Sequence, residues 1–326
     1  MADEIGVSLL TNDDFQGSGV AECLVDLSRK TQEYGPARVD DPGSISIDLA
    51  AEVSMKAFLL KTFFAPPGVP LAKPSQGQIG FLRAERIQTS PGGSPQFAVV
   101  PFTAKHNLRH ILAKDDRINH QEHDAVGAES YPPSDPDSKL YLRFEDLNWT
   151  PTLDDRLTIR GAHSDNPMIW PFGFDVSMGN KITSYTQGVT GMDYSFELVD
   201  PDDFQFEVGQ KIGIAVFSEH TPTKVTASYN PDNPSNYSTE TLREVFGEAK
   251  QNNIYTGKIL LVGKTHIEHD INSFTGCSGA IIFLLDKDQP PSVLKKHWGC
   301  AIAVHAGSHP SIRTRNIGFK LVHADR

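Results

Sequence analysis

One short motif near the C-terminal end of the chain could present a nucleophile. Gly276-Cys277-Ser278-Gly279 places Ser278 between glycines and just before an apolar run. Glycine lets the backbone turn sharply and brings its N–H groups close to a substrate oxygen. An activated serine also needs a base within hydrogen-bond reach and an acid that orients this base. The motif therefore predicts chemistry only if the chain supplies both partners.

Candidates for both partners precede the serine. His106 directly follows a predicted strand, where a rigid scaffold would hold its side chain. The chain has 12 histidines, and taken alone His106 fits an ordinary strand-end residue. Asp193 opens an alternating strand, where an aspartate commonly caps the strand start. The residues alone therefore leave a structural role open for both.

Composition narrows the function classes. The chain has 326 residues, with 38% apolar and 22% charged residues, which predicts a globular protein. The net charge of −11, without any long Lys/Arg cluster, argues against nucleic acid as a partner. Apolar runs are too short to span a membrane, and the start lacks the pattern of a secretory signal. Three scattered cysteines are too few for a disulfide framework, so we expect an intracellular, reducing location.

The elements fall into two parts. Residues 1–78 form a partly helical N-terminal extension, with helices predicted over 20–27 and 49–64. This extension could be a strap on the main domain or a regulatory arm. Residues 79–326 contain about ten short strands separated by turn signals, which predicts an all-β sandwich or barrel. The predicted strands are 79–87, 97–102, 139–144, 157–160, 192–199, 211–217, 259–262, 280–285, 301–304 and 317–322; a short helix is predicted over 239–249.

Three segments together resemble those of the chymotrypsin-like (trypsin-fold) serine proteases. Thr103-Ala104-Lys105-His106 resembles the segment around the family's base, and Gly276-Cys277-Ser278-Gly279 its nucleophile turn. The segment from Asp193 to Leu198 resembles its acid-bearing strand, although Asp146 and Asp175 are alternatives. The order His, Asp, Ser is also the family's order.

This resemblance implies a fold, a reaction and a set of roles. It implies two antiparallel β-barrels, about 79–203 and 204–326, with the polar stretch 110–138 as an insertion. It implies a peptide or protein substrate and no cofactor. Ser278 would attack the scissile carbonyl, His106 would take its proton, and Asp193 would orient His106. Backbone N–H groups of Gly276 and Ser278 would form the oxyanion hole.

Two positions depart from the secreted members of the family. Cys277 stands where zymogen-activated trypsins carry an aspartate, and Asn107 stands where a half-cystine often follows the base. Both departures point to an intracellular branch of the fold that is not activated by an inserted N-terminus. Some viral relatives use a cysteine nucleophile, but the register of the motif favours Ser278 over Cys277.

Substrate specificity is predicted from two further residues. His305 resembles the histidine of glutamyl endopeptidases and of viral proteases that cut after Gln or Glu. An imidazole at the pocket floor can hydrogen-bond such a side chain. Ser273 lies where these enzymes often place a hydroxyl. The alternative for His305 is a structural role on a strand.

The sequence also allows other interpretations. The segments His120-Gln121-Glu122-His123 and His266-Ile267-Glu268-His269 lack the HExxH spacing of a zinc helix, so we predict no metal site. The chain could also be a catalytically inactive protease-fold protein used for binding or scaffolding. A generic β-sandwich binding module, with the three motifs as coincidence, is a third alternative.

Overall fold

The computed structural model describes residues 45–63, 75–86, 96–104, 107, 109–111, 122–124, 127–131, 140–142, 157–158, 176–178, 194–200, 202–218, 238–264, 266–309, 312 and 314–322. The helix predicted over 20–27 lies outside these residues. The elements are α1 (Ile47–Ser54), β1 (Phe58–Phe63), β2 (Ser75–Arg86), β3 (Gln96–Ala104), β4 (Arg109–Ile111), β5 (Glu122–Asp124), β6 (Gly127–Tyr131), β7 (Leu140–Leu142), β8 (Leu157–Thr158), β9 (Val176–Met178), β10 (Lys211–Ser218), α2 (Thr239–Phe246), β11 (Gln251–Val262), β12 (His266–His269), β13 (Ile281–Leu284), a 3₁₀ turn (Lys295–His297), β14 (Ala301–Ser308) and β15 (Asn316–Lys320).

The described strands form one closed barrel and a second, larger sheet. The barrel has the strand order β10-β11-β12-β15-β14-β13, with each neighbouring pair antiparallel. The other sheet, called here the first sheet, has seven strands in the order β7-β6-β1-β2-β3-β9, with β8 paired to β2. β4 and β5 pair separately. The prediction of a mostly β protein is thus confirmed, with a single closed barrel among the described residues.

Strand β13 is buried on both faces and joins the two layers. Ile282 and Leu284 lie in the core of the barrel, whereas Ile281 and Phe283 lie in a second core that also contains Leu82 of β2. This split follows from the alternation of side chains along a strand. The residues just before β13, which include the Ser278 motif, therefore lie at the junction of barrel and first sheet.

Hydrogen bonds connect both ends of helix α1 to the barrel. The Ser46 hydroxyl caps the helix by accepting from the Leu49 N–H at 3.2 Å. The Ser46 N–H donates to Oδ1 of Asp286 at 2.9 Å, and the amide of Asn252 donates to the Ser54 carbonyl at 2.7 Å. Several apolar side chains of α1 enter the second core. The helix is thus an integral part of the described fold.

The predicted helix over 49–64 is wrong in its second half. The helix ends at Ser54, and Phe58–Phe63 is strand β1, which pairs with β2 and β6. Phe58, Leu59 and Leu60 are all buried, so the strand is covered on both faces. A short run of consecutive apolar residues does not distinguish a strand from a helix, and here the pairing partners decide.

The predicted strand over 192–199 is also not regular. Residues 194–200 make only two isolated parallel bridges, Phe196 to Leu82 of β2 and Leu198 to Ala301 of β14. The segment therefore crosses from the first sheet to the barrel. The Phe196 side chain lies in the second core, and the partly buried Leu198 packs against both cores.

Candidate active site

The turn that carries Ser278 depends on two glycines in the left-handed region. Gly276 has φ +108° and Gly279 has φ +91°, a conformation that side chains with a Cβ rarely adopt. Within the turn, the Cys277 N–H donates to the Phe274 carbonyl at 3.0 Å, and the Ala280 N–H donates to the Cys277 carbonyl at 3.1 Å. The glycines of the motif thus have a structural reason that is independent of catalysis.

The cysteine and the serine of the turn have different surroundings. Cys277 is fully buried in the barrel core, where its Sγ accepts from the Phe274 N–H at 3.4 Å. The Ser278 hydroxyl donates to the Ala306 carbonyl of β14 at 3.0 Å. Neither Cys277 nor Cys300 is in a disulfide. The thiol thus occupies an apolar site, and the hydroxyl contacts the strand that carries His305.

Polar groups of Gln78 in β2 and of Asn107, which follows β3, bind the carbonyl groups of the turn. The Ser278 carbonyl accepts from the Gln78 N–H at 2.7 Å and from Nδ2 of Asn107 at 2.9 Å. Nε2 of Gln78 donates to the Gly276 carbonyl at 2.9 Å. Nδ2 of Asn107 also donates to Oγ1 of Thr103 at 2.9 Å. The barrel and the first sheet are therefore joined at the serine itself.

The other two members of the predicted triad lie outside the described residues. His106 directly precedes Asn107 in the sequence. Asp193 directly precedes Tyr194, the first residue of the segment that crosses between the layers. Asp146 and Asp175 also lie outside. The structure therefore shows Asn107, the residue after His106, in contact with Ser278. The triad itself stays a prediction.

His305 lies beside the turn and contacts a second histidine. Its backbone pairs with the turn, since the Gly279 N–H donates to the His305 carbonyl at 2.8 Å. Nδ1 of His305 lies 3.3 Å from Nε2 of His269, and both side chains are fully buried. Burial lowers the pKa of His269 to about 3, so His269 is neutral at physiological pH.

The hydrogen bonds of this pair determine where its protons lie. Nδ1 of His269 accepts from the Ile271 N–H at 3.3 Å, so the one proton of the neutral ring is on Nε2. That N–H faces Nδ1 of His305, which must then accept it. An imidazole that accepts a hydrogen bond at Nδ1 carries its proton on Nε2. The pair thus makes Nε2 of His305 a hydrogen-bond donor.

Ser273 was predicted to lie in the substrate pocket, whereas the 266–269 segment was predicted to hold no metal ion. Ser273 is fully buried, and its Oγ accepts from Nδ2 of Asn316 at 2.9 Å; the same amide donates to the Ile271 carbonyl at 2.6 Å. Glu268 pairs with Arg315 at 2.5 Å. No group of three or more His, Cys, Asp or Glu side chains in the described part of the chain is arranged to hold a metal ion. The side chains of 120–123 are not among those described.

Sequence reasoning missed four polar residues around the turn. They are Gln78, Asn107 as a hydrogen-bond donor, His269 and Asn316. Asn107 could have been suspected from the sequence, because it directly follows the candidate base His106. The others became recognisable only once the strand pairing was known.

Among the helices of the described residues, none is long and apolar enough to cross a lipid bilayer.

Comparisons with known proteins give limited similarity. No protein-family model and no curated protein matches this sequence. One similar solved structure is a thermostable serine protease, AL20, from an extremophilic microorganism, with 11% identity and a TM-score of 0.40, covering 82% of this chain and 92% of that chain. Another is a Glu endopeptidase in complex with MPD, with 11% identity and a TM-score of 0.40, covering 82% of this chain and 86% of that one. At this TM-score the likeness decides nothing about function, so a function must rest on the contacts around Ser278.

Proposed function

We propose that this chain is a serine endopeptidase that hydrolyses peptide bonds through His106, Asp193 and Ser278, on a two-barrel fold of the trypsin type. The observation that carries the proposal is the hydrogen bond from Asn107 to the Ser278 carbonyl at 2.9 Å. Because Asn107 directly follows His106, one peptide bond and one hydrogen bond link the candidate base to the candidate nucleophile. This link supports one shared site for two motifs that are far apart in sequence.

The proposed reaction follows the usual order of acyl transfer. Ser278 Oγ attacks the scissile carbonyl while His106 takes its proton, and His106 then gives this proton to the leaving amine. Asp193 orients the imidazole and stabilises its charged form. Water, activated by His106, then hydrolyses the acyl-enzyme and frees Ser278.

The backbone of the turn suits an oxyanion hole formed by the N–H groups of Gly276 and Ser278. The Cys277 carbonyl accepts from the Ala280 N–H inside the turn. In a trans peptide the C=O and the following N–H point in opposite directions, so the Ser278 N–H points away from this bond. Loss of one such donor typically costs about 10²–10³ in rate.

The histidine pair supports a preference for Glu or Gln before the scissile bond. When Nδ1 of His305 accepts from Nε2 of His269, Nε2 of His305 donates a hydrogen bond. A carboxylate or amide oxygen of the substrate can accept it. His269 holds that proton arrangement, because burial lowers its pKa to about 3 and keeps it neutral. Ser273 would line the same pocket. Substrates with apolar residues at this position could not accept this hydrogen bond.

A fluorophosphonate probe tests the nucleophile. The wild type should be labelled on Ser278, and Ser278→Ala should not be labelled. Cys277→Ala is the matched control, because it changes the adjacent side chain of the same turn and should leave labelling intact. Labelling that persists in Ser278→Ala and disappears in Cys277→Ala would contradict the assignment.

A catalytically inactive protease-fold binding protein is the second candidate. The observation that favours it is the Ser278 hydroxyl, which donates to the Ala306 carbonyl at 3.0 Å. Catalysis requires that proton to turn towards His106, whereas a binding protein could keep the bond permanently. Absence of labelling in a folded wild type would favour this candidate.

A further inference from the structure

Asn107 occupies an unusual position between the two layers. It is buried, with 3% of its surface exposed, and its amide nitrogen serves two acceptors. These are Oγ1 of Thr103 and the main-chain carbonyl of Ser278, both at 2.9 Å. A buried amide with two partners holds its side chain in one orientation.

The two acceptors are themselves connected, so the bonds form a closed ring. Oγ1 of Thr103 donates to the Gln78 carbonyl at 2.6 Å, and the Gln78 N–H donates to the Ser278 carbonyl at 2.7 Å. Asn107 closes the ring from Ser278 back to Thr103. All four residues are buried. Any shift of Asn107 relative to Ser278 would therefore strain several hydrogen bonds at once.

The contact depends on close packing against Gly77. A Cβ at Gly77 would lie 2.3–2.5 Å from the amide atoms of Asn107, which is closer than atoms can approach. The Asn107 amide therefore occupies the space that a side chain at Gly77 would need. Asn107 thus holds the segment after His106 against both β2 and the serine turn, without a covalent link.

We propose that Asn107 is a positioning residue that sets the separation between the imidazole of His106 and the hydroxyl of Ser278. The proposal rests on the proposed function, since it needs His106 to act as the base. Proton transfer requires heavy atoms about 2.6–3.2 Å apart. A displacement of about 1 Å can cost roughly 100-fold in rate. Removal of Asn107 should therefore slow the chemistry and leave substrate binding largely intact.

Saturable labelling by a fluorophosphonate separates these two effects without knowledge of the natural substrate. For Asn107→Ala we expect the maximal inactivation rate to fall about 10–100-fold, while the half-saturating probe concentration changes by less than about threefold. The pH dependence of labelling should also shift, because it reports the pKa of the candidate base.

Asn253→Ala is the matched control for a purely structural loss. Asn253 is also fully buried, and its amide donates to the main-chain carbonyls of Glu248 and Gln251 at 2.9 and 3.4 Å. We expect a loss of thermal stability similar to that of Asn107→Ala. The maximal inactivation rate should stay within about twofold of wild type, because the two carbonyls that this amide binds, those of Glu248 and Gln251, lie outside the serine turn.

A covalent replacement supplies a second test within one folded chain. The Cβ of Asn107 lies one bond beyond its amide carbon, so cysteines at both positions would have Cβ atoms within the disulfide limit of about 4.5 Å. In Gly77→Cys/Asn107→Cys, the oxidised form should label close to the wild-type rate. The reduced form should label about 10-fold or more slowly, with reductant-treated wild type as the control.

The outcomes decide the two proposals separately. If wild type labels and Asn107→Ala labels within about twofold of it, Asn107 is structural only, and the proposed function stands. If Asn107→Ala does not fold, equal labelling of the oxidised and reduced cysteine pair overturns the proposal for Asn107. If folded wild type does not label, the proposed function fails, and the positioning role fails with it.

Discussion

The side chain of Gln78 bridges the first sheet and the barrel at Gly276, where its Nε2 donates to the glycine carbonyl at 2.9 Å. The same nitrogen donates to the Phe217 carbonyl at 3.3 Å, and Oε1 of Gln78 accepts from the Phe217 N–H at 3.1 Å. One buried amide thus makes three hydrogen bonds to two barrel segments. The position of the serine turn therefore depends on a residue of β2.

Replacement of Gln78 should destabilise the fold strongly. Gln78→Leu removes three buried hydrogen bonds and leaves main-chain groups of Gly276 and Phe217 without this partner, so we expect a loss of about 3 kcal/mol in the free energy of unfolding. Gln210→Leu is the control, because its buried amide makes one bond, to the Gln205 carbonyl at 2.8 Å. The free energy of unfolding of Gln210→Leu should fall by only about 1 kcal/mol. Equal losses in urea unfolding would show that the bridge at Gly276 adds nothing.

The two glycines of the turn should respond differently to alanine. Both have positive φ, so either substitution should cost roughly 1–2 kcal/mol in backbone strain. A Cβ at Gly279 would also lie 2.0 Å from the Gln78 carbonyl oxygen, whereas one at Gly276 would have only the Gln76 carbonyl oxygen near it, at 3.9 Å. We therefore expect Gly279→Ala to abolish folding or lower the melting temperature far more than Gly276→Ala. Similar melting temperatures would contradict the close approach of β2 to the turn.

The sequence predicted best those elements whose pattern is local. Strand β10 was predicted over 211–217 and spans Lys211–Ser218. Its sequence is apolar from Ile212 to Phe217 because its side chains alternate between the two cores. Helix α2 was predicted over 239–249 and spans Thr239–Phe246. Strand β1 was mistaken for helix, since its identity is set by β2 and by β6, which lies more than sixty residues further along the chain.

The candidate site was predictable only in part, for the same reason. Ser278 was recognisable from its own neighbours, because glycines and an apolar run are local features. Asn107 and Gln78 are ordinary polar residues in sequence, and their contacts with the turn depend on the register between the first sheet and the barrel. His269 likewise meets His305 only through the pairing of β12 and β14 with β15. Non-local pairing of this kind leaves no periodic signal.

The two described thiols should be inert in the folded protein. Burial raises the pKa of Cys300 to about 11, and at pH 8 only about one thiol in a thousand would then be ionised. Cys277 is fully enclosed in the barrel core. Iodoacetamide followed by peptide mass mapping should leave both unmodified in native protein and modify both in urea. Rapid native modification of Cys300 would contradict its burial against the start of β14.

Stability should fall on acidification because of His269. Burial lowers the pKa of this imidazole from 6.5 to about 3, so between these values the unfolded chain binds a proton that the folded chain does not. The contribution of the neutral His269 to the free energy of unfolding is fully present above pH 6.5. It decreases by up to about 1.4 kcal/mol per pH unit as the pH falls towards 3. Burial also lowers the pKa of His266 and of His297.

Urea unfolding between pH 6 and pH 4 tests this role of His269. The free energy of unfolding of His269→Gln should depend less steeply on pH than that of wild type, by about one proton. Asn316→Ala, which removes a buried amide without a titratable group, should keep the wild-type slope; an unchanged slope in His269→Gln would mean that His269 is protonated in the folded protein.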